Sequence, residues 1–372
     1  MTIQPFKLER YFAKYEFDVP YLLSSSDSEA ISIPDLLAYA SDERRAQWET
    51  LTLGYTESKG HPDLLAGIAA MYTDDITPEN VIGLVPEEGI YIAMQTLLSP
   101  GDHLISTAPG YQSLYEVARS NGCEVSLWMP DADDGWHFDV DALAALITPQ
   151  TRMIAVNFPH NPTGALPTQA DWQRIVELAR EHDLILFSDE MYRFFEYEPE
   201  DRLPSACELY ENAVSLCGLS KSFGLPGLRV GWLATQNAAF MEQFQVYKDY
   251  TTICGSAPGE VLGIIAVEAH TQLSERNLEI VQANLAVLDG FFARWNHLLR
   301  WQRPKAGTIT FVELLADVSI QTVADELVAQ KGVMILPSAV YDYPGNYFRI
   351  GFGRRNLPEA LAQFETYLKE RF

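Results

Sequence analysis

The chain has 372 residues, 47% of them apolar and 21% charged, the profile of an ordinary folded protein long enough for two domains. Fifty-one acids face 26 Lys and Arg, and the net charge of −25 argues against nucleic acid or an anionic membrane as partner. No zinc-finger spacing and no run of about 18 apolar residues is present, so neither a metal site nor a membrane span is expected.

From the N-terminus, MTIQPFKLERYFAKYEF mixes charge into every short window and reads as neither signal peptide nor anchor. A cytoplasmic protein is expected. Residues 1 to about 40 read as an arm and a loop, with a polar break at Ser24–Ser28 and a short helix begun by Pro34 through Leu36 and Leu37. Cys123, Cys207, Cys217 and Cys254 lie far apart without a CxxC, so no disulfide is demanded. Cys217, inside an apolar run, reads as a free buried thiol.

From about residue 45 to 270, short apolar runs alternate with helical stretches. The runs are Asn80–Val85, His103–Thr107, Cys123–Trp128, Arg152–Val156, Leu184–Ser188, Val214–Gly218 and Leu228–Ala234. Among the helices, Glu88–Leu98 carries Ile90, Ala93, Met94 and Leu97 on one face, and Gln169–His182 carries Trp172, Ile175, Val176 and Ala179. This alternation predicts an α/β fold with a mostly parallel seven-stranded sheet covered on both faces. No Gly-rich fingerprint opens the first unit, so a nicotinamide fold is not indicated.

Asn277–Arg300 reads as one long helix bridging two domains. Strand-like Thr308–Leu315, helix-like Thr322–Lys331, strand-like Tyr347–Phe352 and a final amphipathic helix through Leu357, Leu361, Phe364 and Leu368 suit a smaller α+β domain. The expected division is an arm and part of the small domain over residues 1–44, a large domain over 45–275, and the bridging helix with the small domain over 276–372.

Three segments can carry chemistry. In GLSKSFGLPGLRVG, Lys221 follows a strand and precedes a Gly/Pro-rich turn, in the crevice where α/β sheets bind ligands. A lysine there can lose its proton and form a Schiff base, although a plain loop lysine has the same local sequence. Arg229 offers a rigid donor fork suited to phosphate. In NFPHNPTG, Asn161 offers a donor at a strand end, within a stretch that also reads simply as a turn. In LILFSDEMY, Asp189 ends an apolar strand and needs a cationic partner unless it lies at the surface.

Together, in this order and spacing, NPTG, SDEMY and SKSFGLPGLRVG resemble the fold-type I pyridoxal-phosphate enzymes, specifically the class I/II aminotransferases, over nearly the whole chain. The resemblance makes residues 45–275 the cofactor-binding domain and implies pyridoxal 5'-phosphate held on Lys221 as an internal aldimine, with Lys221 then moving the substrate's α-proton. It implies that Asp189 pairs with the pyridinium nitrogen, that Asn161 and Tyr192 bond the phenolate oxygen, and that Tyr111 stacks on the ring. Ser220 and Arg229 would contact phosphate, and Tyr55 would reach the neighbouring subunit's phosphate in a homodimer with shared active sites. Arg349 would clamp the substrate α-carboxylate, and Ser25 and Glu29 belong to a loop that often lines the side-chain pocket.

Two features depart from the family pattern. The start of the first helix reads Val85-Pro86-Glu87-Glu88, with no N–H on Pro86 and two acids near the phosphate position. Glu87 and Glu88 are expected at the cofactor's edge or turned to substrate. Gly218 stands where a Ser or Thr is usual. Asp27 and Glu29, with Glu87 or Glu88, would favour a basic amino acid such as arginine. The implied activity is transamination between an L-amino acid and a 2-oxo acid. The rivals are a lyase, cyclase or oxygen-dependent oxidase or hydroxylase on a cationic amino acid and, more remotely, a non-catalytic binding protein of the same fold.

Overall fold

The alternating apolar runs build one seven-stranded sheet in the computed structural model, which describes residues 2–372. Its strands are β1 (Val81–Leu84), β2 (His103–Thr107), β3 (Glu124–Trp128), β4 (Thr151–Asn157), β5 (Ile185–Asp189), β6 (Ala213–Gly218) and β7 (Gly231–Ala234). Their spatial order is β1-β7-β6-β5-β4-β2-β3. Only β7 runs against its neighbours; β2 to β6 are mutually parallel. Strands β1, β2, β4, β5, β6 and β7 are buried almost throughout, as continuous rather than alternating apolar runs require.

Separate apolar clusters cover the two faces. One packs Ile92, Met94 and Phe244 against Phe187 and Leu216, another packs Trp172, Ile175 and Val176 against Ile154 and Leu186. The helices Pro86–Leu97 and Gln169–Glu181, with Ala238–Lys248 for Phe244, supply the helical side chains, and the first two match their expected positions within two residues. The first of them starts at Pro86. Its Glu88 carboxylate accepts the Val85 N–H at 3.2 Å, so the helix is capped by its own third residue.

A second, four-stranded antiparallel sheet is formed by β8 (Leu299–Arg300), β9 (Ile309–Leu314), β10 (Leu336–Pro337) and β11 (Tyr347–Gly351) in the order β10-β11-β9-β8. With the helices Ile320–Lys331 and Leu357–Arg371 it encloses its own core of Val312, Leu327, Phe348, Phe364 and their neighbours. The long helix runs from His270 to Trp295. Leu273 packs with the large-sheet cluster and Val281 onward packs with the second core, so one helix joins the two. It stops short of the expected Arg300 because Leu299 pairs with Leu314 in the sheet.

The N-terminal residues correct the reading of an irregular arm: Lys7–Tyr15 is a helix. Leu8, Tyr11, Phe12 and Tyr15 recur at helical spacing and pack with Trp136, Met334 and Tyr341. All four cysteines are free, and no helix among the described residues is long and apolar enough to cross a membrane.

Candidate active site

Strands β2, β4, β5 and β6 are neighbours and end on the same edge of the sheet. Each delivers one residue to that edge: Tyr111 after β2, Asn161 after β4, Asp189 at the end of β5 and Lys221 after β6. These four residues line a single cavity of about 400 Å³, a size in the range of small-molecule sites. Of the other expected residues, Ser25, Glu87, Tyr192, Ser220, Arg229 and Arg349 line it too.

Asn157 and Asp189 stand opposite each other in the β4–β5 register. The Asn157 amide donates to the Asp189 carbonyl at 3.0 Å, and its Oδ1 accepts the Asn161 N–H at 2.8 Å. The Asp189 carboxylate accepts the Met191 N–H at 3.1 Å. Burial pushes its pKa up to about 7, against the pull of that N–H and of the Lys221 charge. Lys221 donates to the Ser26 hydroxyl at 2.8 Å, and burial lowers its pKa while Asp27 partly opposes the shift.

Arg349, on β11, is 1% exposed. It donates to Asn161 Oδ1 at 3.0 Å, to the Tyr341 hydroxyl at 2.8 Å and to the Ser24 carbonyl at 2.7 Å. Its Nε is buried without a partner. The Ser24–Asp27 loop reaches this close because position 351 is glycine: a Cβ there would lie 1.6 Å from the Ser25 carbonyl oxygen. The loop is held from beneath by Tyr192, whose hydroxyl donates to the Ser26 carbonyl at 3.1 Å, and by Thr308 at 2.9 Å.

At the other end of the cavity lies the N-terminus of the helix Pro86–Leu97. Ser113 donates to Glu87 Oε1, while Oε2 is buried without a partner. Burial raises the pKa of Glu87. The Ser220 hydroxyl, on a residue 6% exposed, likewise lacks a partner. Arg229 is exposed and held in left-handed backbone at φ 54°, its guanidinium donating to the Pro226 carbonyl at 3.2 Å.

Three expected residues are not brought to the cavity. The Glu88 carboxylate is turned elsewhere: besides capping Val85 it accepts from the hydroxyls of Thr251 and Thr252. Glu29 likewise accepts the Arg355 N–H at 2.8 Å and pairs with that guanidinium at 3.2 Å. Tyr55 is 94% exposed, outside the cavity of its own chain; the role expected for it is toward a neighbouring subunit. Conversely, Glu9, Phe12, Glu16, Ser26 and Arg354 line the cavity although no motif marks them, and so does Asn157, which opens the NFPHNPTG segment but carries no expected role. The helical spacing of Leu8, Tyr11, Phe12 and Tyr15 is the signal for the first group, and the position of Asn157 at a strand end is the signal for that residue.

The fold and this constellation define a fold-type I pyridoxal-phosphate-dependent enzyme. The aminotransferase class I and II family model matches residues 26–363, and the chain belongs to that family. An arginine–pyruvate transaminase from Pseudomonas aeruginosa is 30% identical over 77% of this chain and 74% of its own. Capreomycidine synthase from Streptomyces vinaceus is 28% identical over 76% of this chain and 72% of its own. A crystal structure of a pyridoxal-phosphate-dependent aminotransferase from Streptococcus suis superposes with a TM-score of 0.93 at 29% identity, covering 100% of this chain and 99% of that one.

Proposed function

We propose that this protein binds pyridoxal 5'-phosphate and moves the amino group of an L-amino acid to a 2-oxo acid. The observation that carries the reading is the convergence of Lys221, Asp189 and Arg349 on one cavity, each with a valence or charge that the protein does not fully satisfy. The donor set suits the cofactor. Lys221 would hold its aldehyde, Asp189 its ring nitrogen and Tyr111 its ring face. Ser220, Arg229 and the N–H groups at the start of the helix Pro86–Leu97 would hold its phosphate. The less usual partner is Glu87, an acid where an anion is to sit.

Bound there, pyridoxal phosphate supplies an electron sink for the pair left at Cα. The chain supplies the rest. A cation on the ring nitrogen gives Asp189 the partner its burial demands, which returns it to the charged form. Arg349 and Asn161 orient the α-carboxylate through a planar fork and an amide. Lys221, whose proton burial has loosened, takes the α-proton and returns it at the far side of the transfer. Leu8 and Phe12 place apolar surface on the cavity wall, which keeps water from the reacting carbon.

A homodimer is part of the reading. Leu53, Tyr55 and Tyr250 are 84%, 94% and 88% exposed, and the segments that carry them are tied where Lys248 donates to the Ser58 carbonyl. Such exposed apolar surface fits a protein interface. Sedimentation of the purified protein at twice the mass of one chain supports it, and a monomer at micromolar concentration refutes it.

A second reading is lyase, cyclase or oxidase chemistry at the same site. It is favoured by the likeness to capreomycidine synthase, which is named as a synthase and not as a transaminase. Product analysis separates the two. Transamination yields one 2-oxo acid and one new amino acid per cycle, and it stops when the oxo-acid acceptor is withheld.

A further inference from the structure

We infer that Glu9 and Glu16, carried by the N-terminal helix and its end, form a subsite for a cationic side chain, so that the preferred amino donor is a basic L-amino acid of the arginine class. This rests on the reading of the cavity as an amino-acid site and adds the residues that choose among amino acids.

Three carboxylates reach the cavity wall from the N-terminal segment: Glu9, Glu16 and Asp27. Asp27 is neutralised, since both of its oxygens accept from Arg354 at 3.0 Å. Glu9 and Glu16 have no ion pair among the described residues. Glu9 is exposed and Glu16 half-buried; burial raises the pKa of Glu16, the nearby charges of Glu9 and Asp27 add to the rise, and Arg354 and Lys221 oppose it. Two acids without an ion pair against one wall present negative charge that a ligand cation relieves.

An independent observation says that a ligand belongs there and fixes which end is which. Arg349 is 1% exposed, lines the same cavity and keeps its Nε without a partner. A buried guanidinium with a spare donor calls for a carboxylate. A ligand with a carboxylate at Arg349 and a cation toward Glu9 and Glu16 is a basic amino acid. The alternative charge pattern finds no partner. A side-chain carboxylate would meet Glu9 and Glu16, and the nearby Arg354 is already taken by Asp27. The expected acids Glu29 and Glu88 take no part, being turned to Arg355 and to Thr251 and Thr252.

The test is equilibrium titration of the cofactor-loaded protein with L-arginine, L-norleucine and L-glutamate, read by the change in its visible absorbance, for the wild type, Glu9→Gln and Glu16→Gln. The wild type is expected to bind arginine at least about tenfold tighter than norleucine. Removing one charge is expected to cut that ratio by roughly 10-fold, the worth of one hydrogen bond to a charged group. Because the ratio is read within each variant, a general loosening of the fold cancels. Norleucine or glutamate binding as well as arginine to the wild type overturns the inference, and so does an arginine-to-norleucine ratio unchanged in both variants. Transamination is read separately from the 2-oxo acid formed, so an arginine-selective protein that makes no oxo acid refutes the proposed reaction and leaves this subsite standing.

Discussion

The ring of Pro86 stands against the space that a side chain at Gly218 would fill: a Cβ added to Gly218 would lie 3.0 Å from the Pro86 Cγ. The same ring atom would lie 2.6 Å from a Cβ at Gly231. The two departures from the family pattern, a proline at the helix start and a missing hydroxyl on β6, are therefore one packing arrangement. Gly218→Ser is expected to destabilise the protein by about 1–3 kcal/mol through overpacking. In a Pro86→Ala background the same change is expected to cost less, because only the contacts with the Val230 carbonyl and the Gly231 backbone at 3.1 Å then remain. Urea midpoints of the four proteins in this cycle measure the coupling. Additive effects contradict it.

Asp189 makes the cofactor-free protein sensitive to pH in an unusual direction. Folded, it keeps its proton to about 7, whereas its ordinary value is 3.8. Between those values the folded state binds more protons than the unfolded one, so this residue withdraws stability as pH rises, by an amount on the order of a few kcal/mol. Asp189→Asn is expected to remove that slope. Thermal melts of both cofactor-free proteins from pH 4 to 8 should diverge, with the variant gaining on the wild type as pH rises. Parallel curves rule the burial argument out.

Glu87 is expected to weaken the hold on a phosphate. A carboxylate in the first turn of a helix ordinarily stabilises it, but here one oxygen is buried without a partner beside the N-terminus that an anion would use. Glu87→Gln should tighten cofactor binding about tenfold at pH 8, for roughly one favourable charge interaction gained. Burial raises the pKa of Glu87, so the advantage should shrink as pH falls and the wild-type side chain becomes neutral. Fluorescence titration of the cofactor-free proteins at two pH values reads both effects. A looser variant at pH 8 contradicts the assignment.

Much of this site was legible in the sequence because parallel strands convert linear order into spatial order. Once the apolar runs ending at Asp189 and Gly218 are taken as neighbouring strands, Asp189 and Lys221 fall on one edge without further information. That the Glu88 and Glu29 carboxylates turn elsewhere was not legible. Their neighbours in the chain do not show that Thr251, Thr252 and Arg355 arrive from far away to bind them. The end of the long helix failed for a similar reason. Apolar residues continue past Trp295 at helical spacing, and what takes Leu299 out of the helix is its pairing with Leu314. The N-terminal helix was readable from Leu8, Tyr11, Phe12 and Tyr15, but its destination, the cavity wall, depends on packing against Met334 and Tyr341.

Arg349→Lys should keep the charge and lose the fork. Asn161 and Tyr341, which both lie on the guanidinium at 3.0 and 2.8 Å, would also lose a donor held in place. The expected result is a KM for the amino donor raised by roughly 10–100-fold, the loss of a charged bidentate bond, with a smaller change in kcat. Steady-state kinetics with a fixed oxo acid provides the check, and an unchanged KM removes Arg349 from the carboxylate site.

The central claim is tested most directly by the half-reaction. Cofactor-loaded protein is mixed with an excess of an L-amino acid, with no oxo acid and no oxygen present, and the 2-oxo acid is counted per Lys221 site. Transamination predicts one equivalent and no more, together with loss of the visible absorbance and its return when one of a panel of 2-oxo acids is added. Product that continues past one equivalent without an acceptor, or absorbance that no 2-oxo acid restores, would contradict it.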